Sequence, residues 1–216
     1  MFDIQTSDGK RLRGGVRTIQ LTDFATGQTV SLATVRSSAP GELLLPSQIV
    51  YRNAFDGLEA DVVLVWRHNS FSQDVVLRQQ PQLPAGMSAD TTRLEVVSEM
   101  IEAPQPTIRS QSVQAGNAGQ LEDDVVIHFG RLAIVMGKAF PVAGDAAWEM
   151  GGINPSDKGS PILKQWHTLP DGRMLLIESI GWRDAEPYLQ GLPAATQARA
   201  TRTTGYNGAK SAAWPD

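Results

Sequence analysis

The feature that most constrains the fold of this chain is a succession of short apolar runs, each ended by turn residues. Residues 162–169 and 173–182 are two such runs, and Asp171-Gly172 lies between them. Asp-Gly between two apolar runs is the strongest short-range signal for a β-hairpin. Residues 16–23 and 29–35 show the same arrangement around a short glycine-containing connection. We therefore predict an antiparallel hairpin at each place.

A third pair of runs covers residues 58–66 and 71–79. The first run is polar on one face at its start, with Glu59 and Asp61, and apolar on both faces later. A strand with this pattern passes from the edge of a sheet into the interior. The pattern predicts a long hairpin, which we expect at the centre of the fold.

Residues 93–102 form a further alternating run, with Glu95 and Glu99 on one face. Residues four apart on one strand are separated by roughly 13 Å, whereas the paired carboxylates of a glycosidase lie about 5 to 10 Å apart. We therefore interpret this face as the solvated outer face of a sheet. Residues 107–114 are predicted to form an edge strand.

These runs amount to roughly a dozen strands and one or two short helices, which is typical of an all-β, antiparallel β-sandwich. One helix is predicted over residues 185–192, with Asp184 as its N-cap and Pro193 beyond its end. The sandwich module should cover residues 1–193, with a mobile loop at 143–161 where two lobes could divide. Residues 194–216 are rich in Ala, Thr, Arg and Gly and predict a disordered linker or tail.

Composition narrows the functional classes. The net charge is −4 and the basic residues are scattered, which argues against nucleic acid as a partner. Cysteine is absent, so thiolate metal sites and cysteine nucleophiles are excluded. The apolar runs are far shorter than the roughly 20 residues that cross a bilayer, so no membrane insertion is expected. Phosphate-cradling glycine motifs are missing, and no cofactor is predicted.

Candidate catalytic residues are sparse. The three histidines, His68, His128 and His167, lie apart without metal-ligand spacing. Ser160 and Asp124 could join a triad only through the tertiary structure, since no nucleophile elbow occurs. We therefore predict no enzymatic activity and no catalytic residues, and a hydrolase with a spatially assembled site stays open as an alternative.

Candidate binding residues are of two kinds. Asp56, Glu59 and Asp61 cluster near a predicted turn and are calcium-ligand candidates, although the 12-residue calcium loop is absent. Trp148 lies in the predicted mobile loop and is a candidate for an exposed contact with a polysaccharide. The other tryptophans inside apolar runs are expected in the core; they are Trp66, Trp166 and Trp182.

Several segments together carry a family resemblance: Ile49-Val50-Tyr51-Arg52-Asn53-Ala54-Phe55-Asp56-Gly57-Leu58-Glu59-Ala60-Asp61-Val62, Phe71-Ser72-Gln73-Asp74-Val75-Val76-Leu77, Thr92-Arg93-Leu94-Glu95-Val96, Gly137-Lys138-Ala139-Phe140 and Gly172-Arg173-Met174-Leu175-Leu176-Ile177-Glu178. They resemble a β-rich module of very large exported bacterial proteins, where it precedes Rhs/YD-type or other surface repeats. The resemblance implies a non-catalytic structural or presenting module of a longer secreted or cell-surface protein. Its partners would be neighbouring domains of the same parent chain. A carbohydrate-binding module is the first alternative to this function.

Overall fold

The computed structural model describes residues 1–6, 8–68, 70–115, 120–142, 159–194 and 201–203. Its strands are β1 (Phe2–Gln5), β2 (Arg11–Asp23), β3 (Gln28–Val35), β4 (Gly41–Leu45), β5 (Gln48–Tyr51), β6 (Phe55–Asp56), β7 (Ala60–Arg67), β8 (Ser70–Leu77), β9 (Thr92–Glu102), β10 (Thr107–Ala115), β11 (Gln120–Phe129), β12 (Leu132–Ile134), β13 (Gly137–Ala139), β14 (Ser160–Thr168), β15 (Met174–Gly181) and β16 (Thr201–Thr203). One helix, α1 (Trp182–Leu189), occurs in the described part.

The strands form three sheets. The largest has nine strands in the order β13-β14-β15-β9-β2-β3-β16, with β1 added on β2 and β6 on β3. A second sheet has the order β4-β5-β7-β8, and a third has the order β10-β11-β12. The pairings within them are antiparallel. The prediction of an all-β antiparallel sandwich is confirmed.

The main hydrophobic core joins the nine-stranded sheet to the four-stranded sheet. Ile19 and Leu21 of β2 and Leu64 of β7 are at most 1% exposed and belong to the same buried cluster. Val63, on the other face of β7, is also buried and packs in a separate cluster. The prediction that this strand is buried on both faces in its later part is therefore confirmed. Burial of such aliphatic side chains stabilises the fold by about 1.5–3 kcal/mol each.

Two of the predicted hairpins form around glycines. Gly172 adopts φ 86° between β14 and β15, and Gly27 adopts φ 72° between β2 and β3. Positive φ is a conformation that costs glycine little. The registers are antiparallel, with Thr168 opposite Met174 in the first hairpin.

The third hairpin is also present, but its predicted central position is wrong. β7 pairs with β8 from Ala60 opposite Leu77 to Arg67 opposite Ser70. β8 is nevertheless the last strand of the four-stranded sheet, and the long β2–β9 pairing runs through the middle of the largest sheet. That pairing joins distant parts of the sequence, which a local hydrophobic pattern cannot indicate.

The helix begins earlier than predicted. α1 covers Trp182–Leu189 directly after β15, and its N-cap position is Gly181, without a side-chain capping bond. The prediction of Asp184 as N-cap is wrong, because Asp184 lies in the first helical turn. Trp182 and Leu189 are buried in the main core, so tertiary packing of the apolar residues sets the helix start.

Glu95 and Glu99 are not on a solvated face, which corrects the sequence interpretation. Glu95 is 1% exposed and Glu99 is 9% exposed. The Gln20 amide donates a hydrogen bond of 2.7 Å to Glu95 Oε2, and the Thr22 hydroxyl donates another of 2.7 Å. Arg17 pairs with Glu99 at 2.7 Å. Neighbouring strand residues replace water as the partners of these carboxylates.

The tryptophans divide between core and surface. Trp182 is buried, as expected. Trp166 is half-buried and stacks edge-on against Phe129 with ring centroids 5.4 Å apart. Trp66 is 37% exposed, so its predicted core position is wrong. It lies near the end of β7, beside the hairpin turn, and its ring contacts that of Phe71 with the centroids 4.9 Å apart.

The terminal part is described only in short pieces. Thr201–Thr203 pair with β3, and Ala194 forms a bridge to Gln80. The remainder of the predicted tail, and residues 143–158 of the predicted mobile loop, lie outside the described residues. Within the described part, α1 is too short to be a candidate membrane span.

Candidate functional site

A cavity of about 630 Å³ lies between β8 and the inner face of the nine-stranded sheet. The segment after β13 and the helix α1 complete its wall. Much of the lining is apolar and comes from Ile19, Val75, Leu94, Val96, Ile162 and Ile180. The volume is in the range of small-molecule sites, which are mostly apolar with a few polar groups.

Two carboxyl groups line this cavity from different sheets, Asp74 of β8 and Glu178 of β15. The hydroxyl of Ser72 donates a hydrogen bond of 3.1 Å to Asp74 Oδ2. Within the described residues, neither carboxyl group forms an ion pair. The cavity therefore holds two acidic groups whose charge no contacting basic side chain neutralises.

Glu178 lies between two strands that determine its surroundings. Across the ladder it is opposite Lys164 of β14 on one side and Val96 of β9 on the other. Burial is the largest of several causes that together raise the pKa of Glu178 to about 7; the charge of Lys164 opposes the shift, and the charges of Asp74 and Asp124 add to it. The side chain is partly accessible, and because it lines the cavity we take this accessibility to be to the cavity space. Glu178 can therefore exchange a proton near neutral pH.

The pKa of Asp74 is shifted in the same direction as that of Glu178. Burial raises the pKa of its carboxyl group, while the hydrogen bond from Ser72 and the charge of Arg67 oppose the shift. Desolvation disfavours the charged form of a carboxyl group. Both acids in the cavity are consequently easier to protonate than exposed carboxylates.

A buried ion pair lies beside Glu178. Lys164 Nζ is 2.7 Å from Asp124 Oδ2, and both side chains are fully buried. The Lys164 backbone N–H donates to Asp124 Oδ1 at 2.8 Å, and the Gln111 amide donates to Oδ2 at 2.8 Å. Burial alone would raise the pKa of Asp124, but these hydrogen bonds outweigh it and lower the pKa below its usual value.

Two basic side chains also line the cavity, Arg78 and Lys138. Arg78 Nε lies 2.9 Å from Asp61 Oδ2, outside the cavity lining. The charge of Arg78 is therefore already compensated. The cavity lining is thus mostly apolar, with two carboxyl groups, Asp74 and Glu178, and with Lys138 as a second basic side chain.

The structure gives the calcium candidates other partners. Asp56 pairs with Arg36 at 2.8 Å, and Asp61 accepts hydrogen bonds from Arg78 and from the backbone N–H of Asn53. The Glu59 side chain is exposed. In the part of the chain that the structure describes, no group of three His, Asp or Glu side chains is arranged to hold a metal ion.

The residues considered for a hydrolytic triad are not brought together. Asp124 is paired with Lys164, and the Ser160 hydroxyl is hydrogen-bonded to the Tyr188 hydroxyl at 2.9 Å. His128 lies on β11 opposite Thr107 and Ala133. Trp148, the candidate for polysaccharide contact, lies outside the described residues.

Sequence reasoning missed the residues that form this site, Asp74, Lys164 and Glu178. A usable signal was present, because Glu178 follows Leu175-Leu176-Ile177 and precedes Ile180 in an otherwise apolar run. A charged residue inside a strand that is buried on both faces must have a partner or a function. The pairing of Lys164 with Asp124 had no comparable signal, since 40 residues separate the two.

Comparison of the chain with protein-family models, with curated proteins and with solved structures gives no match.

Proposed function

We propose that this chain is a non-catalytic β-rich module that binds a small molecule in the cavity between β8 and β15. The ligand has an apolar body and a basic group, such as an amine. The observation that carries the proposal is the presence of Asp74 and Glu178 in an otherwise mostly apolar cavity of about 630 Å³.

The chemistry of the lining supports this class of ligand. Apolar side chains on β2, β9 and β15 favour an aliphatic or aromatic body, because burial of apolar surface is favourable. A cation placed between Asp74 and Glu178 would form charge-assisted hydrogen bonds, which are about twice as strong as neutral ones. A bound cation would also stabilise the ionised form of both acids.

We further propose that the module belongs to a larger secreted or cell-surface protein and presents this cavity beside neighbouring domains. The support for that context is the sequence resemblance carried by residues 49–62 and the related segments. The confirmed antiparallel architecture is compatible with it.

The binding proposal is tested by calorimetric titration of the full chain with alkylammonium ions of increasing chain length. We expect affinity to rise about fourfold for each added methylene, since each buried methylene contributes about 0.8 kcal/mol. Alcohols of the same chain lengths are the matched ligands without charge, and they should bind more weakly. Equal binding of amines and alcohols, or no binding of either, contradicts the proposal.

Two variants locate the binding. Asp74→Asn should lose the preference for amines over alcohols, because it removes one carboxylate from the cavity. Asp90→Asn is the matched control, since Asp90 is exposed and pairs with Arg183 outside the cavity. A preference for amines that the Asp74 variant retains in full places the site elsewhere.

A hydrolytic function is the second candidate, and one observation favours it. The pKa of Glu178 near 7 suits a general acid, whose ideal pKa lies near the working pH. The test is turnover of chromogenic esters and glycosides by the wild-type chain and by Glu178→Gln. Turnover that is lost in the variant supports catalysis, whereas retention on a polysaccharide without turnover supports the carbohydrate-binding alternative.

A further inference from the structure

The buried pair of Lys164 and Asp124 connects two sheets. Lys164 lies on β14 of the nine-stranded sheet and Asp124 lies on β11 of the three-stranded sheet. Lys164 Nζ and Asp124 Oδ2 are 2.7 Å apart, and neither side chain has any exposed surface. The hydrogen bond from the Lys164 backbone N–H to the other carboxylate oxygen, at 2.8 Å, fixes the orientation of the carboxyl group.

This environment changes the balance between an ion pair and an amide. In water an amine and a carboxylic acid stay ionised, and ionisation opposes their condensation. Burial of two ions carries a desolvation cost that the attraction between them must offset. An amide is neutral, so its formation removes both buried charges. The fixed contact also supplies a high effective concentration, which reaches about 10⁵ M or more for well-oriented groups.

We propose that Lys164 and Asp124 condense after folding to form an amide bond between Nζ and Cγ. A proton first passes from the ammonium group to the carboxylate, which leaves a neutral amine and a carboxylic acid. The hydrogen bonds to Asp124 favour its ionised form, so this neutral pair is a minor species that is consumed as the amide forms. The nitrogen lone pair then attacks Cγ, and one carbon–oxygen bond of the carboxyl group breaks. The departing oxygen takes the hydroxyl proton and one amine proton and leaves as water, so the reaction needs no oxidant, reductant or co-reactant.

Glu178 is placed to relay the protons of this reaction. It lies directly opposite Lys164 in the β14–β15 ladder, where side chains of paired residues are about 4.5–5.5 Å apart at Cβ. Its carboxyl group has no hydrogen-bond partner among the described residues. A protonated Glu178 can donate to the departing oxygen and then accept the proton that leaves Nζ, which restores its initial state. Burial brings the pKa of Glu178 to about 7, a value suited to both steps.

The inference goes beyond ligand binding and does not depend on it. The amide would join β11 to β14 across 40 residues of sequence. A covalent link between two sheets prevents their separation, so the module would resist proteolysis and mechanical extension.

The test is intact-mass spectrometry of the full chain under denaturing conditions, followed by peptide mapping. We expect the wild-type chain to be lighter than its sequence mass of 23.4 kDa by one water molecule. The map should show a branched peptide in which Lys164 is joined to Asp124 and trypsin does not cleave after Lys164. Lys164→Arg should have the full sequence mass, and Lys10→Arg, which replaces an exposed lysine, should keep the loss of water.

The role of Glu178 is tested by the rate of the mass change after pulse-labelled synthesis. Glu178→Gln should slow it by about 100-fold or more, in the range lost when a general acid–base group is removed. An unchanged rate in the variant overturns the relay.

A folded wild-type chain with the full sequence mass overturns the proposed bond. A loss of water that maps to an Asp-Gly sequence, such as Asp171-Gly172, also overturns it, because aspartate can cyclise there without lysine.

Discussion

The carboxyl group of Glu178 should make the stability of this protein depend on pH in a specific window. Its ordinary pKa is 4.5 and its pKa in the folded chain is about 7. The native state therefore binds a proton at pH values between these two limits at which the unfolded chain has lost it. Stability must then fall as the pH rises from about 4.5 to about 7, and the full cost is present at higher pH.

The size of the effect follows from the shift. At about 1.4 kcal/mol per pKa unit, the change from 4.5 to about 7 corresponds to about 3 kcal/mol. We take this value as an upper limit, because Glu178 keeps partial contact with the cavity space. The charged groups that act on Glu178 are Asp74 of β8 and, as long as their pair is ionised, Asp124 of β11 and Lys164 of β14; Lys138 of β13 lines the same cavity.

The perturbation is Glu178→Gln, which imitates the protonated side chain at every pH. Urea unfolding of wild type and variant at about pH 5 and about pH 8 gives the change in unfolding free energy for each protein. The wild-type chain should lose up to about 3 kcal/mol more than the variant between these conditions. The comparison uses this difference in pH dependence, because the absolute stability of each protein also reflects the state of the Lys164–Asp124 pair, including whether it has condensed to an amide.

An equal pH dependence of the unfolding free energy in wild type and in Glu178→Gln refutes the reasoning. If both proteins change stability equally across the window, Glu178 is not protonated in the native state at neutral pH. Asp74→Asn is a useful control, because the pKa of Asp74 is raised for the same reason, desolvation by burial. It should reduce the pH dependence without abolishing the part due to Glu178.

Three further predictions concern the scaffold and use urea unfolding as the measurement. Gly57→Ala should destabilise the chain by about 3 kcal/mol, because φ is 106° and a Cβ would lie 2.4 Å from a backbone oxygen of β3. Gly86→Ala, with φ 91° and no atom near its Cβ position, should cost only about 1 kcal/mol, and equal effects would contradict the steric argument. Glu95→Ala should cost about 3 kcal/mol by leaving two buried donors unpaired; a loss below about 1 kcal/mol would show that water replaces the carboxylate. Arg183→Ala should leave the midpoint unchanged, since its ion pair is exposed, and a clear shift would show a structural role for that pair.

The local hydrophobic pattern was sufficient to predict the hairpins, but it was not sufficient to predict the order of the strands in the sheets. The turn at Asp171-Gly172 could be predicted because glycine supplies the positive φ that the turn requires. The position of β8 at a sheet end could not, because strand order depends on pairings between distant segments such as β2 and β9. The helix start at Trp182 was misplaced because its burial in the core outweighed the capping preference of Asp184.

The chemical site was decided almost entirely by tertiary contacts. The sequence determined that the chain is all-β, that it lacks thiol chemistry, and that charged residues interrupt some apolar strands. Only the tertiary structure brought Asp74 and Glu178 to one cavity and buried Lys164 against Asp124. The physical reason is that the hydrophobic pattern of a strand specifies which face of the strand is buried. The pKa and the reactivity of a charged group depend instead on the residues that other strands place against that face.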